Sequence, residues 1–249
     1  MEGVFVKADE EGQTVTFEAQ TRGSKQAATA QANIMVVGGD GALVDNAIVR
    51  FDGGQTLKKF SLRQGSTKLY IPQDGNDYAV VRSEGMGEMP VNFKAEKNGT
   101  YTISVNPEGV AMAYLHLIDN MTGADVDLLA AKVPELVEGP TLNDGVSTGS
   151  TTSYTFPAKT TDNASRFKLV FVCGDANDDN DSFAFYSNGN WIIANEGEAT
   201  LQVIDVTGRI LSSETVNGSV NKSINQPAGV YMIRLINGEN VKVQKIVVR

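Results

Sequence analysis

The densest group of potential ligands is CGDANDDNDSF, residues 173–183, where four aspartates and two asparagines follow the apolar run RFKLVFV. Asp175, Asn177, Asp179 and Asp181 fall at positions one, three, five and seven of a calcium loop, where oxygens at alternate positions converge on a hard cation. The rest of that pattern is absent. Asn180 stands at position six, where glycine is needed for the sharp turn, and Tyr186 at position twelve, where a bidentate glutamate is expected. A solvated acidic connector is therefore the leading reading, with calcium on those four residues the lesser one.

Other reactive groups are sparse. The single histidine, His116, lies in the alternating run AYLHLID, and a hydrolytic triad or a zinc site needs more convergent ligands than that. Asp125 and Asp127 share one strand face, a spacing that suits paired-carboxylate glycoside chemistry, but TGADVDLL reads better as a strand leaving a turn. Cys173 shares a face with Phe167, Leu169 and Phe171, which favours a small buried hydrophobe over a reactive thiol. One cysteine excludes an internal disulfide. No catalytic site is expected, and no cofactor besides the calcium already considered.

The elements that must position these groups are strands. Apolar residues recur with period two in short runs, from GVFVKA and TVTFEAQ through TYTISV, AYLHLID, SYTFPA and RFKLVFV, then FAFYS, WIIA, TLQVIDV, VYMIRLI and VKVQKIVV. Glycine-rich links such as QDGND, KNGT and NGEN supply the positive φ that hairpin turns require. The best helical candidate, VDLLAAKVPELVEG, is broken by Pro134 and ended by Gly139, leaving room for one turn at most. Residues 131–152 lack alternation and are rich in Gly, Ser, Thr and Pro, so a long exposed loop or insertion is expected there. The chain reads as all-β: a jelly-roll-like double-sheet sandwich over residues 1–172, an acidic linker over 173–189, and a small immunoglobulin-like sandwich over 190–249.

Charge narrows the partners. With 30 acidic and 21 basic residues the net charge is -9, which repels phosphate backbones and gives nucleic acid no purchase. No run approaches the roughly 20 apolar residues of a membrane-spanning helix, and MEGVFVKADEEG has neither the basic start nor the apolar middle of a signal peptide.

The last stretch carries a family likeness. LQVIDVTGRIL, followed by PAGVYMIRLINGENVKVQKIVVR, resembles the C-terminal sorting domain of Bacteroidetes type IX secretion cargo. In that family a strand ending in Asp, a turn and Gly-Arg precede a Gly-Val-Tyr strand and a lysine-bearing final strand. Here those positions are Asp205, Gly208 and Arg209, then Gly229, Val230 and Tyr231, then Lys242 and Lys245. The Tyr-Pro-Asn-Pro-like opening of many members is replaced by SNGNWIIANEGEA. AYLHLIDNMTGADVDLL and SYTFPAKTTDNASRFKLVF also resemble the region before such tails in large Bacteroidales surface proteins.

The resemblance implies export across the outer membrane, recognition of the folded tail by the secretion machinery, removal of the tail by a processing enzyme, and attachment of the remainder to the cell surface. It also implies that these residues are the C-terminal piece of a larger protein, and the acidic linker then marks a cleavage point between Gly174 and Asn190. Physically, Asp205 to Gly208 is a tight turn and Tyr231 alternates with Ile233 and Leu235 toward a core, so most of the motif builds the fold. Arg209, Lys242 and Lys245 are left as the groups expected at the surface. For the preceding sandwich the expectation is a structural or adhesive module with a protein or glycan ligand. A carbohydrate-binding module is the rival, although the aromatics sit in alternating strands and the one tryptophan, Trp191, lies in the tail.

Overall fold

The period-two alternation becomes eighteen strands among the described residues, and no helix is found among them. The computed structural model describes residues 29–60, 65–129, 152–174, 182–187, 189–223 and 225–248. The candidate strands GVFVKA and TVTFEAQ, the stretch 131–151 and the proposed calcium ligands Asp175, Asn177, Asp179 and Asp181 lie outside them.

Eleven strands precede the acidic stretch: β1 (Gln31–Gly38), β2 (Leu43–Arg50), β3 (Leu57–Lys58), β4 (Lys68–Gln73), β5 (Asn76–Arg82), β6 (Met86–Lys94), β7 (Gly99–Glu108), β8 (Met112–Asp119), β9 (Ala124–Asp127), β10 (Tyr154–Ala158) and β11 (Phe167–Cys173). They form one continuous sheet in the order β10-β7-β1-β2-β5-β4-β6-β11-β8-β9, with β3 also paired to β5. Among these strands, β2 and β5 make the one parallel pairing. The β4–β5 hairpin closes through Asp74 and Gly75, both at positive φ, as a two-residue turn between twisted strands requires.

The two ends of this sheet turn their apolar faces toward each other. Ile34, Val49, Ile103 and Val105 from one limb and Val91, Leu115, Leu117 and Leu169 from the other belong to a single buried cluster. Phe93 of β6 meets Tyr101 of β7 and Phe156 of β10 edge to face, at ring separations of 5.0 and 5.2 Å. Such pairs add about 0.5–1.5 kcal/mol beyond the area they bury.

Inside this core sits an ion pair that no local pattern announces. Arg166 and Asp119 are 2 % and 0 % exposed, and the guanidinium Nη2 donates to Asp119 Oδ2 at 2.9 Å. Tyr154 and the Met121 amide also donate to that carboxylate, Arg166 Nη1 donates to the Pro157 carbonyl at 2.7 Å, and the guanidinium lies over the Phe156 ring. Burial pushes the Asp119 carboxyl up, but Arg166, Met121 and Tyr154 together hold it below the usual carboxylate value.

The last seven strands are β12 (Ala184–Ser187), β13 (Asn190–Ile193), β14 (Glu198–Asp205), β15 (Ile210–Asn217), β16 (Val220–Ser223), β17 (Gly229–Asn237) and β18 (Asn240–Val248). They make a three-stranded sheet, β12-β13-β16, and a four-stranded sheet, β15-β14-β17-β18. Phe183, Trp191 and Ile193 on one side and Leu201, Val203, Tyr231, Ile233, Leu235 and Ile246 on the other fill the space between. Ala184–Ser187, within the 173–189 bounds drawn for the linker but read from its alternation FAFYS as a strand, is a strand of this unit: Phe185 and Tyr186 pair with Ile192 and Trp191. The apolar contacts of Phe183 and Ala184 outweigh the polar composition just before them.

Candidate functional site

The Asp205–Arg209 turn is held from within. Asp205 Oδ1 accepts hydrogen bonds from the Thr207 amide at 2.9 Å, the Thr207 hydroxyl at 2.5 Å and the Arg209 amide at 3.0 Å, while Arg209 Nε donates to Oδ2 at 3.1 Å. Gly208 has φ +85°, a conformation that favours glycine. The Thr207 hydroxyl bond, followed by the backbone amides and Arg209, lowers the Asp205 pKa to about 2. A depressed carboxylate contributes to the turn above its ordinary value of about 3.9 and loses that contribution as pH falls toward about 2. The expected result is an Asp205 carboxyl resonance titrating near 2 by NMR; a midpoint near the ordinary value would show the loop open in solution.

Gly229 and Tyr231 form a second device. The Tyr231 hydroxyl donates to the carbonyl of Pro227 at 2.7 Å, four residues back, and its ring packs against Trp191 at 5.6 Å. The same arrangement occurs in the first unit, where the Tyr101 hydroxyl donates to the Lys97 carbonyl at 2.9 Å. KNGTY and PAGVY are thus two copies of one corner, each a Gly-X-Tyr opening a core strand. The motif that marks the tail is therefore a way of starting a strand, and a comparison of the two pentapeptides would have exposed this in the sequence. Gly229 does not have positive φ, and a methyl group there would make ordinary contacts with Tyr231, so Gly229→Ala is tolerated. Tyr231→Phe is expected to cost about 0.5–1.5 kcal/mol, the worth of one hydrogen bond, measured by urea denaturation with an unchanged slope.

The three cations expected at the surface fare differently. Arg209 is exposed but engaged by Asp205. Lys245 is exposed and opposite Met232, on the outer face of the four-stranded sheet, whereas Lys242 is half-buried opposite Leu235 on the inner side. Their spacing of three places them on opposite faces, so they do not present one paired charge. Between them Gln244, which the sequence did not single out, accepts from the Phe183 and Ala184 amides at 2.8 and 2.9 Å and fastens β12 to β18. No local signal could have found it, because its partners lie 61 and 60 residues away.

Residues 187–249 match the family model described as the secretion system C-terminal sorting domain. The chain ends in a type IX sorting tail. The tail marks the chain as exported cargo, delivered to and attached at the cell surface, and its partner in that passage is the type IX secretion machinery. No helix among the described residues is long and apolar enough to cross a membrane. Comparison with curated proteins and with solved structures gives no match.

The groups ahead of the tail assemble only in part. His116 Nδ1 lies 2.7 Å from Asp125 Oδ1, and Nε2 lies 3.8 Å from Asp127 Oδ1. The imidazole stacks on Tyr114 at 4.1 Å, and Asn221 of the tail donates to Asp125 Oδ2 at 3.2 Å. The His116 bond holds the Asp125 carboxyl below its usual value, and burial raises the Tyr114 phenol, with Asp125 and Asp127 adding to the rise. A cavity of about 380 Å³ opens beside them, lined by His116, Asp127 and Leu129 on one side and by Asn217, Ser219 and Asn221 of the tail on the other. Among the described residues, no group of three or more His, Cys, Asp or Glu is arranged to hold a metal. Cys173 is half-buried, its thiol 3.6 Å from the Met112 sulfur, because the register shifts at the end of β11 and brings it to the core's edge.

Proposed function

We propose that the residues ahead of the sorting tail form a non-catalytic structural or adhesive module displayed on the cell surface, built as a jelly-roll-like double sheet, and that the tail is an immunoglobulin-like sandwich. The observation that carries this reading is where the aromatic rings lie. Phe93, Tyr101, Phe156, Phe167 and Phe171 are buried in one core and so give a sugar no ring to stack on; among the described residues ahead of the tail Phe60 is the one exposed ring, without an exposed aromatic partner. His116 supports it as well: Asp125 engages one nitrogen, Tyr114 covers the ring face, and the tail stands alongside. With one nitrogen and one face so engaged, and the tail lining the far side of the cavity, the imidazole is poorly placed to act on a polymer.

The tail acts as a folded unit whose recognition depends on its shape. Lys245, Arg234 and the exposed Val241, Val243 and Val247 lie on β17 and β18 and offer the export machinery an apolar face with two cations. The test of the module has two arms. The purified chain is offered a panel of chromogenic glycosides, esters and peptides, and is then applied to a glycan array. The expected result is no turnover and no glycan retained; turnover overturns the non-catalytic reading, and specific retention of one glycan class assigns the module to the carbohydrate-binding rival.

A further inference from the structure

Among the described residues, β11 and the stretch Trp191–Ala194 are apolar on both faces. In β11, Leu169 and Phe171 point into the sandwich core, yet Val170 and Val172, which point the other way, are each 1 % exposed. In the tail, Trp191 and Ile193 fill its core, yet Ile192 and Ala194 on the reverse are 2 % and 0 % exposed. A strand that carries apolar residues on both sides requires cover on both sides. Each of these supplies the cover for the other: Tyr114, Val170, Val172, Ile192 and Ala194 form one buried cluster, with Met86, Ala113, Ile118 and Phe185 packed against it. Two polar contacts frame the patch. Ser219 Oγ donates to the Ala113 carbonyl at 3.2 Å, and Asn221 Nδ2 donates to Asp125 Oδ2 at 3.2 Å.

We propose that the sorting tail is docked on its cargo through this face, so that cutting the chain between the two units leaves the tail in place and separation is a distinct step. The outer face of β6, β8 and β11 is then an interaction surface whose partner is the β12–β13 side of the tail. Sidedness follows for the tail. With its three-stranded sheet against the cargo, the four-stranded sheet bearing Arg234 and Lys245 is the side open to the machinery. The proposal rests on the sorting reading for its biological meaning, but docking is measured on purified protein and stands or falls separately from export.

The experiment places a recognition site for a specific protease within residues 175–181 of the full chain, cleaves it to completion and passes the product through gel filtration. The expected result is one peak containing both halves, unchanged in about 1 M salt because apolar contact is not screened as charge is. Cleaved Ile192→Asp protein is expected to give two peaks, and Val172→Asp, which alters the cargo side, repeats the test with the tail unaltered. Two peaks from the unsubstituted chain overturn the proposal, as does a single peak from both variants. A reporter fused to the tail and found outside the cell in either case leaves the sorting reading intact.

Discussion

Asp119→Ala is expected to destabilise the sandwich by about 3–5 kcal/mol, because it removes the main partner of a buried charge and leaves it only the Pro157 carbonyl and Asp162 Oδ2 at 3.7 Å. Arg166 is 2 % exposed, with its guanidinium packed over the Phe156 and Phe167 rings, so resolvating it requires opening that aromatic cluster. The Tyr154 hydroxyl and the Met121 amide lose their acceptor in the same step. Urea denaturation of the purified chain measures the loss. The double variant Asp119→Ala with Arg166→Met is expected to recover most of it, since removing both charges removes the desolvation cost along with the attraction. If the single variant loses under about 1 kcal/mol, Arg166 has found another partner and the pair does not organise this end of the core.

The same pair sets a pH dependence whose sign can be worked out. Asp119 is held below the ordinary carboxylate value in the folded chain, so the unfolded chain binds its proton more readily. The stability this contributes is present above about pH 4 and is lost as pH falls below it. Asp119→Asn is therefore expected to flatten the acid limb of the stability curve as well as to lower its plateau.

Trp191→Ala is the second large effect, at about 3–5 kcal/mol in the tail alone. The indole is 2 % exposed, meets Tyr231 edge to face at 5.6 Å and 88°, and borders an opening of about 160 Å³ between the two tail sheets, so little can collapse to fill its place. If the fold is what the machinery reads, a reporter carrying this variant tail accumulates in the periplasm, while Trp191→Phe restores export in part. Arg209→Ala provides the contrast. Its side chain is 75 % exposed, its removal is expected to leave stability within about 0.5 kcal/mol, and export should persist. Loss of export in Arg209→Ala with an unchanged melting temperature would transfer recognition from the fold to that side chain.

Docking of the tail changes how the acidic stretch at 173–183 functions. As a sequence it reads as a connector between independent units, and a connector alone would let the tail swing away once cut. The paired apolar faces at Val170, Val172, Ile192 and Ala194 bind the two units irrespective of what joins them. Cys173 and Phe183, at either end of the stretch, both sit in or against buried clusters, so each unit holds its own end of the joint.

What the sequence determined by itself is local. Alternation placed Phe167, Leu169 and Phe171 on one face and Tyr231, Ile233 and Leu235 on another, because successive side chains of a strand point to opposite sides whatever the strand pairs with. The Asp-Gly and Asn-Gly links marked turns for an equally local reason, the freedom of the backbone at positive φ, and the tail was recognisable because its turn and corner lie within short stretches of contiguous chain. Only the tertiary structure decided which faces meet. Arg166 and Asp119 are 47 residues apart, and Asn221 and Asp125 are 96 apart. Nothing in the neighbourhood of either residue encodes the other, because contact at that range depends on the order in which strands are laid into sheets and on how those sheets stack. RFKLVFV and WIIA were legible as strands; it took the fold to show that each is covered on both faces and that they cover one another.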